Sequence, residues 1–177
     1  DEQELVSFCE VLSSYTQPIE GKIGIITGSG GHGAMAVDAC AAANLTVPAF
    51  AAELQDRLRG QLTENVRSIA SVGNPVDLTG SAVDDDFVAC AKILAEAPEV
   101  DCLVVLLLPY LPGVTLDIGV RLSQVQKQFR KPIVAYVPHV EKYNMMIDGF
   151  ELNGTPVSPS IEGAVLMAKA LARKKPC

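Results

Sequence analysis

Short apolar runs alternate with amphipathic segments along most of the 177-residue chain. Apolar runs bounded by turn residues predict buried strands, and apolar residues spaced three and four apart predict helices. The pattern predicts strands at Ile23–Thr27, Thr46–Phe50, Val76–Leu78, Cys102–Leu108, Ile133–Val137 and Thr155–Val157. It predicts helices over Glu2–Tyr15, from about Gly31 to Ala43, and over Glu53–Leu62, Asp84–Ala95, Leu116–Phe129 and Glu141–Leu152, with a last helix that starts at Ser158-Pro159 and ends in Arg173-Lys174-Lys175.

This regular alternation predicts an α/β fold with three layers. The strands are continuous apolar runs, which is typical of a parallel sheet covered by helices on both faces. No eightfold repeat is present, so an open, doubly wound and mostly parallel sheet is favoured over a barrel. Ligands of such sheets bind beyond the carboxyl ends of the strands, and we expect the functional site there.

Composition narrows the classes of function. The chain is 49% hydrophobic, yet no apolar run approaches the roughly 18 residues of a membrane span. Its net charge of −7 argues against a nucleic-acid partner and against an anionic membrane surface. The five cysteines are odd in number and form no CxxC pair, which predicts reduced thiols in a cytoplasmic protein.

The candidate chemistry begins in the segment ITGSGGHGAMAVDAC, which contains Gly28-x-Gly30-x-x-Gly33 between a predicted strand and a predicted helix. Glycines in such a turn allow close approach of a ligand, and the free N–H groups of the helix start favour an anion. A dinucleotide site would also need an acidic residue at the end of the second strand. The strand predicted there ends at Phe50, and Glu53 lies inside the next helix. We therefore expect a phosphate in this turn more than NAD, with a simple packing turn as the alternative.

Three further loops fall beside that turn at the expected ligand edge: Asn74–Gly80, Pro109–Gly113 and Pro138-His139. Within the first, Asp77 is a carboxylate in a tight loop, where such groups order neighbouring N–H groups. No grouping of Cys, His and carboxylates has the spacing of a metal site, so no metal ligand is assigned.

Three stretches together resemble one family: GKIGIITGSGGHGAMAVDAC, SVGNPVDLTG and GTPVSPSIEGAV. They are similar to the C-terminal flavodoxin-like domain of NDP-forming acyl-CoA synthetases, in the succinyl-CoA synthetase superfamily. The resemblance covers roughly residues 21 to 174. It implies a flavodoxin-like CoA-ligase domain over 21–177, with residues 1–20 as a helix and linker from the end of a preceding domain.

The resemblance also implies a site. In that family a histidine on a neighbouring domain carries a phosphoryl group, and a helix N-terminus of this domain stabilises the phosphohistidine. Carried over, the phosphate cradle is formed by Gly28, Ser29, Gly30, Gly31, His32 and Gly33, with Ala34 opening the helix, Asp38 one turn within it, and Asn74 and Asp77 as supporting residues.

His32 departs from the family, whose members often have proline at that position. Three roles stay open for His32: a harmless substitution, an extra phosphate donor, or a phosphorylated residue. His32 is the only candidate for a catalytic residue, and no catalytic role is assigned to it.

The resemblance implies a reaction, acyl-CoA + NDP + phosphate ⇌ acid + CoA + NTP, that this chain would not complete by itself. Its partners would be CoA-binding and ATP-grasp domains or subunits and a small-molecule acid, and a homo-oligomer stays open. No tightly bound cofactor is expected; CoA and ADP/ATP or GDP/GTP with magnesium belong to the complete enzyme. The alternatives are a regulatory, ligand-sensing domain of an acyltransferase fusion and a nucleotide-binding Rossmann-like domain.

Overall fold

Five short strands form one fully parallel sheet with the order β2-β1-β3-β4-β5 in the computed structural model, which describes residues 2–173. Every strand residue of β1 and β3 is buried, as a sheet covered on both faces requires. The strands are β1 (Ile23–Thr27), β2 (Val76–Asp77), β3 (Cys102–Leu106), β4 (Ile133–Tyr136) and β5 (Val157–Ser158).

Helices cover both faces of this sheet and enclose a separate apolar core on each side. The helices are α1 (Glu2–Ser14), α2 (Gly30–Ala42), α3 (Ala52–Gln61), α4 (Glu64–Arg67), α5 (Asp84–Glu96), α6 (Ile118–Phe129), α7 (Asn144–Glu151) and α8 (Ile161–Ala172). Alternate residues of a strand point to opposite faces, so Ile25 joins the core under α1, α2 and α8, while Ile26 joins the core under α3, α5, α6 and α7. The predicted three-layer, flavodoxin-like α/β fold is thus confirmed.

The prediction of a strand at Thr46–Phe50 is wrong. Only Thr46 pairs with the sheet: its carbonyl accepts from Ile23 N at 2.8 Å, and its amide donates to Gly21 O at 2.8 Å. Pro48, which has no N–H group, cannot extend such a ladder.

The Asn74 side chain occupies the next position along that edge of β1. Its Oδ1 accepts from Ile25 N at 3.0 Å, and its Nδ2 donates to Ile23 O at 2.8 Å and to Pro48 O at 3.0 Å. A side-chain amide therefore stands in for a strand residue between Thr46 and β2.

Several helix boundaries differ from the prediction. The last helix begins at Ile161 rather than at Ser158-Pro159, because Ser158 belongs to β5 and Ser160 caps the helix by accepting from Gly163 N. The predicted helix Glu141–Leu152 divides into a 3₁₀ turn, Glu141–Tyr143, and α7. The short α4 was not predicted, and Lys174 and Lys175, in the predicted basic end of the last helix, lie outside the described residues.

Helix α1 packs on α8, and two side chains tie this N-terminal segment to the sheet. The buried Tyr15 hydroxyl donates to Ile133 O at 2.6 Å and accepts from Ile133 N at 3.2 Å. Glu10 Oε1 accepts from Val157 N at 3.1 Å, on the open edge of β5. The assignment of residues 1–20 to the end of a preceding domain stays a prediction.

Candidate functional site

The turn between β1 and α2 lies at the carboxyl edge of the sheet, beside the ends of β2 and β3. Thr27, the last residue of β1, is fully buried and fixes the turn, because its Oγ1 accepts from Ser29 N at 3.1 Å and donates to Ser29 O at 3.2 Å. Ser29 is the N-cap residue, and α2 begins at Gly30. The turn therefore delivers the start of a 13-residue helix to the edge where ligands of parallel sheets bind.

The first turn of α2 offers three backbone amides. Gly33 N already donates to Ser29 O at 3.0 Å, and the Ser29 side chain makes no capping hydrogen bond. Within residues 2–173, no acceptor engages the amides of Gly30, Gly31 and His32. Three such N–H groups at the positive end of a helix dipole are suited to binding an anion.

The four glycines of the turn have different tasks. Gly28 and Gly33 are buried, and an added Cβ would lie 3.0 Å from Leu111 Cδ1 at Gly28 and 3.2 Å from Pro75 Cβ at Gly33. Both therefore serve close packing. Gly30 and Gly31 are exposed, and a Cβ on Gly31 would meet only Ser29 Oγ, at 3.8 Å. Gly31 thus leaves the amides open to a ligand.

Asp77 stands directly beside this helix start. Its Oδ1 accepts from Thr79 N at 2.9 Å, and its Oδ2 lies 3.1 Å from the position that a Cβ on Gly30 would occupy. The structure therefore places Asp77 next to Gly30, at the edge of the candidate site.

The expectation against a dinucleotide assumed a second strand at Thr46–Phe50, and this premise is wrong: β1 lies between β2 and β3, and β2 ends at the carboxylate of Asp77. Asp77 follows Gly33 by 44 residues, whereas the dinucleotide fingerprint places its acidic residue about 20 residues on.

His32 is half-buried between the turn and the end of β4. Its Nδ1 lies 3.4 Å from Ser29 Oγ, and its ring stacks on Tyr136 with a centroid distance of 6.3 Å. Burial, with a further contribution from Glu162, raises the pKa of the Tyr136 hydroxyl. The sequence interpretation missed Tyr136; its place at the end of a predicted strand was the available signal.

The structure places three of the predicted site residues differently from the prediction. Asp38 is exposed and follows Gly30 by eight residues, a rise of about 12 Å along the helix, so it is more than two turns away rather than one. Ala34 does not open the helix, because α2 begins at Gly30. Asn74 lies beside the middle of β1, where its hydrogen bonds are structural.

A cavity of about 560 Å³ lies between α1 and α8, away from the helix start. Its rim carries Glu10, Glu151, Glu162 and His139. Gly30, Gly31 and His32 are not among the residues that line this cavity, whereas His139 is.

Cysteine and metal chemistry receive no support in the part of the chain that the structure describes. Cys9, Cys40, Cys90 and Cys102 are free thiols. Burial raises the pKa of the Cys40 thiol to about 11 and that of Cys90 to about 12, so neither forms the nucleophilic thiolate at neutral pH. Residues 2–173 contain no group of three His, Cys, Asp or Glu side chains that could hold a metal ion. None of the helices described there combines the length and apolar character needed to cross a bilayer.

Comparison with known proteins finds a family model and several relatives that match this chain. The model of the Ligase-CoA domain matches residues 23–169. The alpha subunit of acetate–CoA ligase [ADP-forming] II from Pyrococcus furiosus is 28% identical over 179 residues, which cover 93% of this chain and 37% of that protein. Acetate–CoA ligase [ADP-forming] I from Archaeoglobus fulgidus is 33% identical over 107 residues, covering 60% of this chain and 15% of that protein.

Solved structures of other proteins share the fold of this chain. The crystal structure of PH0766 from Pyrococcus horikoshii has a TM-score of 0.86 at 27% identity, covering 97% of this chain and 39% of that one. A dinucleotide-forming acetyl-coenzyme A synthetase 1 from Ca. Korarchaeum cryptofilum, in complex with phosphate and ADP, has a TM-score of 0.83 at 20% identity over 97% of this chain and 36% of that one, which shows a shared fold. The chain thus spans less than two fifths of the length of these relatives.

Proposed function

The chain belongs to the Ligase-CoA domain family, and on this premise we propose that it is the CoA-ligase domain of an ADP-forming acyl-CoA synthetase. In this role the N-terminus of α2 stabilises the phosphoryl group of a phosphohistidine that a neighbouring domain or subunit carries. The observation that carries the proposal is the set of three open amides at Gly30, Gly31 and His32.

The physical basis is a fixed helix end that meets a charged group without reorganisation. A phosphoryl group on nitrogen carries its negative charge on oxygens, and three aligned N–H groups can each donate to one of them. The turn is held by Thr27 and by the packing of Gly28 and Gly33, so the donors are in place before the group arrives.

The complete reaction needs more than this chain. We propose CoA-binding and ATP-grasp domains or subunits as partners, because the relatives named above are longer and one of them is described as an alpha subunit. Acid, CoA and ATP in one direction, or acyl-CoA, ADP and phosphate in the other, would bind there, with magnesium on the nucleotide. The acid itself is left open.

A glycine substitution tests the anion site. A Cβ on Gly31 would meet only Ser29 Oγ, at 3.8 Å, so Gly31→Val adds a side chain beside the amides, and we expect it to weaken binding of phosphoramidate about tenfold or more, since it shields the donors. NMR titration of the 177-residue protein would measure this, with the amide signals of Gly30, Gly31 and His32 moving most in the wild type. Gly60→Val is the matched control, because Gly60 lies in α3 with no atom within 4 Å of an added Cβ.

Three outcomes would contradict the proposal. The first is equal phosphoramidate affinity in Gly31→Val and wild type, which would remove the anion site from α2. The second is binding of NAD with its largest shifts at Asp77, which would favour a Rossmann-like nucleotide domain. The third is an acyltransferase activity of the full-length protein without ADP-dependent acyl-CoA synthesis, which would favour the regulatory domain of a fusion.

A further inference from the structure

Beside the glycine turn, the loop after β3 displays an aromatic side chain in an unusual way. Tyr110 is 72% exposed and has φ of +65°. A bulky residue rarely adopts this left-handed conformation, which persists only where surrounding contacts hold it. An exposed phenol ring in such a position points to contact with a ligand or partner more than to packing.

The loop is held firmly from both sides. Tyr110 N donates to the hydroxyl of the buried Tyr143 at 2.5 Å, and Leu111 packs over Gly28. Further along, Thr115 donates to Asp84 from its backbone at 2.9 Å and from its hydroxyl at 2.6 Å. The ring is therefore presented by a fixed backbone, next to the turn that precedes α2.

A cation accompanies the ring. Lys142 Nζ lies 5.0 Å from the centroid of Tyr110 and 5.7 Å from that of Tyr143, and the two rings meet edge to face at 6.4 Å. The exposed ring of Tyr110 offers a flat apolar surface, and the Lys142 ammonium group lies beside it with donors that can pair with an anion. A flat surface with an adjacent cation fits a base that is linked to phosphate.

We propose that Tyr110 and Lys142 bind the adenosine diphosphate moiety of a substrate, with the Tyr110 ring stacked on adenine and Lys142 paired with a phosphate oxygen. The choice of ligand rests on the proposed function, because ADP and CoA both carry this moiety. The adenine contact is separate from the amides of α2.

Titrations of ADP and CoA into the 177-residue protein test the site, followed by NMR of the Tyr110 ring. Tyr110→Ala should weaken the binding of at least one ligand about tenfold or more, since a base–aromatic stack contributes that much. Tyr110→Phe should keep wild-type affinity because it keeps the ring, and Leu152→Ala, at an 86% exposed position, is the control. Lys142→Gln should weaken ADP binding at low salt but leave adenosine binding unchanged.

The two ligands distinguish the source of the moiety: the one that loses affinity in Tyr110→Ala identifies it. Unchanged affinity for both in Tyr110→Ala overturns the proposal. If Tyr110→Ala leaves both affinities unchanged but lowers the activity of the assembled synthetase, Tyr110 contacts another domain instead. This result also overturns the proposal. Phosphoramidate binding should be equal in Tyr110→Ala and wild type, so a failure here is distinct from a failure at Gly31.

Discussion

Asp77 places a carboxylate beside the amides that we propose as a phosphate site. Its Oδ2 lies next to Gly30, where a negative group stabilises the helix dipole while no anion is bound. An arriving phosphoryl group would share this dipole with Asp77, and the two negative groups would repel each other. We therefore expect Asp77 both to stabilise the helix end and to lower its affinity for an anion.

We expect Asp77→Asn to bind phosphoramidate about three- to tenfold more tightly than the wild type, because the substitution removes the repulsion. The amide oxygen can still accept from Thr79 N, so the loop should be retained. Asp38→Asn is the control, because Asp38 lies in α2 but more than two turns from Gly30; it should change the affinity little. Equal affinities in Asp77→Asn and wild type, measured by titration calorimetry, would show that Asp77 does not act on the anion.

At the scale of an element, the start of α5 connects three parts of the chain. The triplet Asp84-Asp85-Asp86 suits a helix N-terminus by charge alone, but two of its members are buried. Asp84 holds the loop after β3 through Thr115, and Asp86 holds the end of α3 by accepting from Thr63 N at 2.8 Å and from its own Val83 N at 3.1 Å. Asp85 is exposed and pairs with Arg121 at 2.5 Å.

We expect this difference in contacts to appear in stability. Asp84→Ala and Asp86→Ala should each lower the free energy of unfolding by about 1–3 kcal/mol, because buried N–H and O–H donors lose their acceptor. Asp85→Ala should cost less than about 0.5 kcal/mol, as expected for a surface ion pair. Urea unfolding of the three variants measures the values. Equal losses would mean that all three residues act only through the helix dipole.

At the scale of the whole molecule, α1 closes the open edge of the sheet. Glu10 lies half-buried between α1 and β5, where its carboxylate accepts from Val157 N. Burial raises the pKa of Glu10 above its ordinary value of 4.5, and the nearby Glu151 adds to the rise, while the Val157 hydrogen bond and His139 oppose it. The fold therefore favours the neutral form of this group. Its contribution to stability is present at low pH and is lost as the pH rises through the folded-state pKa.

We expect Glu10→Gln to remove this loss, since glutamine keeps the oxygen acceptor without a charge. The free energy of unfolding of the variant minus that of the wild type should increase between pH 4 and pH 7. Urea unfolding at several pH values measures the trend. Glu20→Gln should show the opposite slope, because the ion pair with Lys22 lowers the pKa of the exposed Glu20. A flat or falling difference for Glu10→Gln would contradict this interpretation.

Local sequence patterns are sufficient to predict the layers of the fold and a helix N-terminus at its ligand edge. Apolar runs such as Cys102–Leu106 are local signals that identify buried parallel strands, and a glycine-rich turn between a strand and a helix fixes where the helix N-terminus lies. The exact start of the helix did not follow from these patterns, because α2 begins at Gly30 whereas Ala34 was expected to open it.

Which segments meet across the chain depends on tertiary packing. Thr46–Phe50 has a strand-like composition, yet the edge of β1 is completed by the Asn74 side chain, which lies 49 residues beyond Ile25 in sequence. In the same way, Asp77 beside Gly30 and Lys142 over Tyr110 depend on long-range packing. Local patterns carry no information about such pairings, because the free energy that selects them arises when distant side chains are buried together.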